Sequence, residues 1–149
     1  MLTLEKIKDA QSVLANAIYK TDVIRASKLS TDYELYLKTE NLQKTGSFKI
    51  RGAYYKISKL SPEEKQKGVI ACSAGNHAQG VALAATKNGI KSLICLPEGA
   101  PISKVEATRG YGAEICLVPG VYDDAYNRAQ ELQKEYGYTF IHPFDDEDV

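Results

Sequence analysis

The chain has no long apolar run, no excess of either charge and few cysteines, and each shortage removes a class of function. None of its 149 residues falls in a stretch approaching a membrane span. The opening segment, MLTLEKIKDAQSVLANAIYK, has charges distributed through it and lacks the apolar centre of a secretory leader. Both observations predict a cytoplasmic protein. Lys plus Arg and Asp plus Glu balance at 19 each, so no whole-molecule field attracts nucleic acid or an anionic membrane. The three cysteines, Cys72, Cys95 and Cys116, lie far apart with no paired spacing, which gives no sign of a disulfide framework or a metal site. They read as small buried hydrophobes in strands.

Phosphate-binding signatures are missing too. Neither GxGxxG nor GxxxxGK[ST] occurs; Gly75 and Gly80 have the second spacing, but Val81 stands where its lysine belongs. The paired carboxylates at Asp123-Asp124 read as a helix start and those of the Asp145–Asp148 cluster as a solvated tail. His142, ahead of Pro143, reads as a structural hydrogen bonder.

What is present is ordinary globular composition, 44% hydrophobic and 26% charged, at the length of one domain. Leu4, Ile7, Ala10, Leu14 and Ala17 follow Thr3 at helical spacing and predict a capped, amphipathic first helix. Leu35 to Thr39 alternates as a half-buried strand would. A helix capped by Ser47 is expected to about Ser58, and Ser61-Pro62-Glu63-Glu64 is a capping box opening another that stops at Gly68. Then the pattern becomes regular: strands at 69–72, 92–96, 113–118 and 139–142, with helices at about 78–87, 102–109 and 122–136. Gly89, Gly110 and Gly137 occupy the expected left-handed positions past the helices. Strands apolar on both faces, alternating with helices, predict an α/β fold: an open parallel sheet with helices on both faces.

Ligands of such sheets bind beyond the carboxyl ends of strands, where CSAGNHAQG, Cys72 to Gly80, lies. Ser73, Ala74 and Gly75 let backbone approach a ligand, and Asn76 and His77 add donors at a helix start. Free amides and the helix dipole make that turn an anion site suited to a carboxylate. A plain tight connection uses the same residue types, and a Cys72–His77 thiolate pair lacks a third orienting group. A second constellation is SFKIRGA, Ser47 to Ala53. Lys49 there is flanked by Phe48 and Ile50, with Lys44 and Arg51 close in sequence. Apolar flanks and like charges favour a neutral amine, the form carbonyl chemistry needs. Pattern alone does not prefer Lys49 over Lys56.

Taken together, TENLQKTGSFKIRGA, SAGNHAQG, LPEGAPISKVEATRGYGAE and HPFDD resemble, in order and spacing and over essentially the whole chain, the threonine dehydratases (threonine ammonia-lyases) among the fold type II pyridoxal phosphate enzymes. The resemblance implies the small domain of a tryptophan-synthase-β-like fold over 53–149, preceded at 1–52 by an arm belonging to an incomplete larger domain. It implies pyridoxal 5'-phosphate bound as a Schiff base on Lys49, Phe48 along the pyridine ring, and Asn76 at the 3'-hydroxyl. Ser73, Ala74, Gly75 and His77 would lie at the substrate carboxylate. The activity implied is dehydration and deamination of L-threonine to 2-oxobutanoate and ammonia, with L-serine giving pyruvate, in a homo-oligomer. Serine racemase, serine dehydratase and cysteine synthase share the architecture, and a non-catalytic amino-acid-binding or interaction piece is the alternative outside enzymes. The family's glycine run for the cofactor phosphate is missing, since no two glycines are adjacent. The expectation is therefore an N-terminal fragment, inactive and poor at holding cofactor alone, whose arm is loosely ordered or pairs its free strand with another chain.

Overall fold

A computed structural model describes residues 2–30 and 32–149. Helix α1 (Leu4–Leu14) starts behind Thr3, whose Oγ1 accepts the Lys6 amide at 3.3 Å. Leu14 and Ala17 are buried, but Leu4 and Ile7 on the same stripe are 59% and 51% exposed, so the amphipathic face is only half covered. Strand β1 (Val23–Arg25) pairs antiparallel with β2 (Tyr36–Lys38), Ile24 opposite Leu37. This corrects two expectations: the strand is not unpaired, and it is exposed on both faces rather than half buried. Short 3-10 turns at Glu40–Leu42 and Lys44–Gly46 lead to α2 (Lys49–Ser58). That helix begins after the expected Ser47, although Ser47 Oγ still accepts the Lys49 amide at 3.3 Å. In α3 (Pro62–Lys67) the capping box forms as read, Glu64 N–H to Ser61 Oγ at 3.2 Å and Ser61 N–H to the Glu64 carboxylate at 2.8 Å.

Then come β3 (Val69–Cys72), α4 (Asn76–Lys87), β4 (Ser92–Pro97), α5 (Ile102–Gly110), β5 (Glu114–Val118), α6 (Tyr122–Tyr136) and β6 (Thr139–Phe140). The four strands β3 to β6 form one parallel sheet in the order β5-β4-β3-β6. Side chains alternate across it. Val69, Ala71, Ile94 and Leu96 enter the core shared with α2 and α4, while Ile70, Cys72 and Cys95 face Ala125, Ala129 and Leu132 of α6. The cysteines are free and stand side by side in register, Cys72 beside Cys95 and Cys95 beside Cys116, as apolar filling. Gly89 and Gly137 take the left-handed conformation expected of them, but Gly110 ends α5 and it is Gly112, at φ +95°, that turns the chain. No helix among the described residues is long and apolar enough to cross a membrane.

Helix α4 is buried almost all round, because the sheet lies on one side and α2 on the other. Its small residues, Ala78, Ala82, Ala85 and Gly80, permit the close layering. Position 52/53 falls inside α2, and Ile50 before it shares a core with Ala53 and Ile57 after it, so packing continues across the expected domain boundary. At Gly80 a Cβ would meet only backbone: the Lys49 carbonyl carbon at 3.1 Å, the Ile50 nitrogen at 3.2 Å and the Lys49 oxygen at 3.2 Å.

Backbone on both sides cannot yield as a flexible side chain would. Gly80→Ala is therefore expected to lose about 1 kcal/mol, overpacking of about 1–3 kcal/mol exceeding the gain in helix propensity of about 1 kcal/mol. Gly110, the last residue of α5, where an added Cβ would meet nothing within 4 Å, is the control; Gly110→Ala, with no overpacking to oppose the propensity gain, should be neutral to stabilising by up to about 1 kcal/mol in urea denaturation.

Candidate active site

Strand β3 has β4 on one side and β6 on the other, so the order of the sheet reverses beside it. In open α/β sheets the crevice at such a reversal, beyond the carboxyl ends, is where ligands bind. The turn after β3 and the turn after β6 both open there. Ser73 donates its amide to Cys95 O at 3.3 Å and accepts the Gly75 amide on its hydroxyl at 3.2 Å, which folds the turn on itself. A Cβ on Gly75 would meet nothing within 4 Å, so the missing side chain leaves open space for a ligand. Ala74 packs against the edge of the core. Helix α4 then starts at Asn76 with no capping side chain, and the Gln79 amide alone returns to the turn, reaching Gly75 O at 3.5 Å. The remaining first-turn amides keep the partial positive charge that suits a carboxylate.

Lys49 opens α2 and reaches into this region. Its Nζ donates to Pro143 O at 2.5 Å and lies 5.5 Å from the centre of the Phe48 ring, itself 58% exposed. The like-charge neighbours expected from the sequence are engaged elsewhere. Arg51 makes a bidentate pair with Glu40 at 2.8 and 2.7 Å, which holds the Glu40 carboxyl down at about 2, and Lys44 donates to Ala17 O at 2.9 Å. Lys56 is likewise committed, to Asp146 at 2.9 Å and Asp148 at 3.8 Å. Those aspartates are thus not a solvated tail, because the tail is folded back on α2. Geometry separates two lysines that the pattern could not: Lys56 is an ion-pair partner, and Lys49 rests on a carbonyl at the crevice.

His77 is 3% exposed, and its Nε2 lies 2.8 Å from Ile141 O just past β6, while Nδ1 has no protein partner. Burial holds the ring neutral, lowering its pKa to about 4, with a smaller contribution in the same direction from the nearby Lys49 charge. The side chain is therefore committed to Ile141, and its share in the turn is the amide. The Cys72 thiol, fully buried and pushed up to about 11 by that burial, is directed at Tyr122 O, so it makes no thiolate pair with His77. His142 is structural as read: its Nδ1 accepts the Asp145 amide at 2.8 Å and the Phe144 amide at 3.4 Å. The carbonyls of Ile141 and Pro143 were invisible in the sequence, since any residue carries one; the HPFDD segment was the available signal. A groove of about 1100 Å³ lies elsewhere, between α1, α2 and Val149. Its volume reflects the open face of α1, and neither Lys49 nor the Ser73–His77 turn lines it.

Residues 14–149 match the family described as pyridoxal-phosphate dependent enzyme. The chain is 54% identical, along its whole length, to the L-threonine ammonia-lyase of Thermotoga maritima, spanning 38% of that protein. It is 46% identical over 99% of its length to the catabolic L-threonine dehydratase of Escherichia coli K12, spanning 46% of it. Among solved structures, maize serine racemase superposes with a TM-score of 0.93 at 36% identity, over 97% of this chain and 45% of that one. The processed threonine deaminase isoform 2 of Solanum lycopersicum superposes at 0.90 and 38% identity, over 97% and 43%. The chain thus spans less than half the length of these relatives, and it belongs to the pyridoxal-phosphate dependent enzyme family.

The buried neutral His77 sets a pH dependence of stability. Its folded pKa, about 4, lies below the unfolded 6.5, so the unfolded chain takes up the proton first and stability falls as pH drops through that window. Between pH 7 and 5 the expected loss is roughly 2 kcal/mol, and His77→Gln should flatten that slope in urea titrations. Glu40, whose lowered pKa of about 2 adds a loss of the same sign only below its ordinary 4.5, stays outside this range.

Proposed function

We propose that this chain supplies the amine-bearing and carboxylate-binding parts of a pyridoxal-phosphate-dependent L-threonine ammonia-lyase, which converts L-threonine to 2-oxobutanoate and ammonia and L-serine to pyruvate and ammonia. The observation that carries the reading is that Lys49 Nζ and the His77 ring at the start of α4 both rest on backbone carbonyls leaving β6, beside the sheet's reversal point. The names and identities of the relatives support the substrate class.

The residues fit the reacting end of the cofactor. A half-buried primary amine stands beside an exposed phenyl ring, and the open space at Gly75 admits a ligand against backbone. Lys49 would hold the cofactor through its amine, Phe48 would flank the ring and Asn76 would meet the hydroxyl. When bound, pyridoxal phosphate supplies an electron sink for charge developing at the substrate α-carbon. The chain's own residues do the rest. Ser73, Ala74, Gly75 and the amide of His77 bind the carboxylate and fix the orientation of the α-carbon. The Lys49 Nζ, as a free amine beside the α-carbon, would accept the α-proton. Water then leaves the β-carbon, and hydrolysis releases the nitrogen as ammonia.

Serine racemisation is the second reading, favoured by the superposition on maize serine racemase. It needs proton removal and return at the α-carbon without loss of the β-hydroxyl, so it differs in product.

Borohydride reduction of the whole protein with pyridoxal phosphate should place the label on Lys49, and peptide mapping checks it. Lys49→Ala should abolish that label and lower 2-oxobutanoate formation from L-threonine by at least about 100-fold. The 149-residue chain alone is expected to form none. A label on another lysine overturns the reading, and D-serine from L-serine on a chiral column would move it to racemisation.

A further inference from the structure

Backbone at the exit of β6 is held at two carbonyls by side chains from two different helices. His77 of α4 takes the Ile141 carbonyl at 2.8 Å, and Lys49 of α2 takes the Pro143 carbonyl at 2.5 Å. Between these anchors the segment is compact. The Ile141 amide donates to Ile70 O at 2.9 Å, its side chain is fully buried, and His142 Nδ1 closes the turn on the Asp145 amide at 2.8 Å.

His77 is an unfavourable residue with which to fill a core position. Its Nδ1 is buried without a partner, which costs desolvation that an apolar side chain of similar volume would avoid. What offsets that cost is a single hydrogen bond, and the acceptor lies two residues from the carbonyl on which Lys49 rests. We propose that His77 is a positioning residue: by holding the Ile141 carbonyl it fixes the turn whose Pro143 carbonyl sets where the Lys49 amine sits. The importance of that placement rests on Lys49 being the reacting amine; the mechanical link from His77 to Pro143 does not.

The test compares His77→Leu, which removes the donor, with His77→Gln, whose amide nitrogen can replace Nε2, in the full chain. Two readouts are taken: hydrogen exchange of the Phe144 and Asp145 amides, and selectivity of pyridoxal phosphate and borohydride labelling for Lys49 over Lys56. The Leu variant should speed exchange about tenfold and lower the selectivity by a similar factor, and the Gln variant should stay within about twofold of wild type on both. Should the Leu variant fail to fold, shown by lost protection in β3 and β4, His77→Asn takes its place, because its shorter side chain cannot reach Ile141. A folded donorless variant with unchanged exchange and selectivity overturns the proposal, as does a Gln variant that fails as badly as Leu. If the wild type carries its label on a different lysine, the function proposed above falls, while the exchange comparison still decides the role of His77.

Discussion

Helix α2 crosses α4 at Gly80 with backbone against backbone, and the location of Lys49 depends on that contact. Lys49 and Ile50 are the residues at the crossing, with the Lys49 oxygen 3.2 Å from where a Cβ on Gly80 would stand. Ile50 is fully buried in the core that α2 shares with α4 and the sheet. The layer of small residues on α4 thus sets how near α2 lies to the sheet, and so how near the amine lies to the turn after β3. Burial of one large aliphatic side chain, worth about 1.5–3 kcal/mol, holds down the helix end at which Lys49 precedes it.

The alternating half of the fold was legible because two periods and a set of stop signals agreed. Residues 69–72 are apolar on both faces, as only a covered parallel strand requires, and β3 is buried at every position. The Ser61 capping box and Gly137 mark their helix ends by local chemistry that packing does not override. The first third was less legible for the same reason in reverse. β1 is three residues long, too short to show a period, and the β1–β2 ribbon presents Val23, Ile24, Tyr36 and Leu37 to solvent, so alternation in its sequence does not correspond to burial. Gly110 misled because glycine spacing alone does not say which of two nearby glycines, 110 or 112, takes the left-handed position.

At the site, residue types were readable and relations between residues were not. The small residues of the turn, the exposed helix start at Asn76 and an amine flanked by apolar side chains all follow from local sequence. What distinguishes the surroundings of Lys49 from those of Lys56 is non-local: Asp146 and Asp148 return from the far end of the chain to occupy Lys56. The same is true of His77, whose burial follows from the position of β6, supplied by residues more than sixty positions later. The conformation of a helix start can be read locally, but the partner of a side chain on it cannot.

The approach to Lys49 carries strain that the arm must hold. Thr45, a β-branched residue, sits at φ +64° followed by Gly46 at +68°, and its Oγ1 is buried without a protein partner. A non-glycine residue in the left-handed region costs about 1–2 kcal/mol. Around it the chain is fixed by polar ties rather than by apolar packing. The Gln43 side chain both accepts from and donates to the backbone of Tyr19, each at 2.8 Å, and Glu40 accepts from Arg51 and from Thr21. Directional bonds specify rotation as well as position, which dispersion contacts do not. A turn held in this way delivers Ser47, Phe48 and Lys49 into α2 with one angular setting. That setting points the amine at the end of β6 instead of along the exposed face of its own helix, so the strain at Thr45 lies in the turn that orients Lys49.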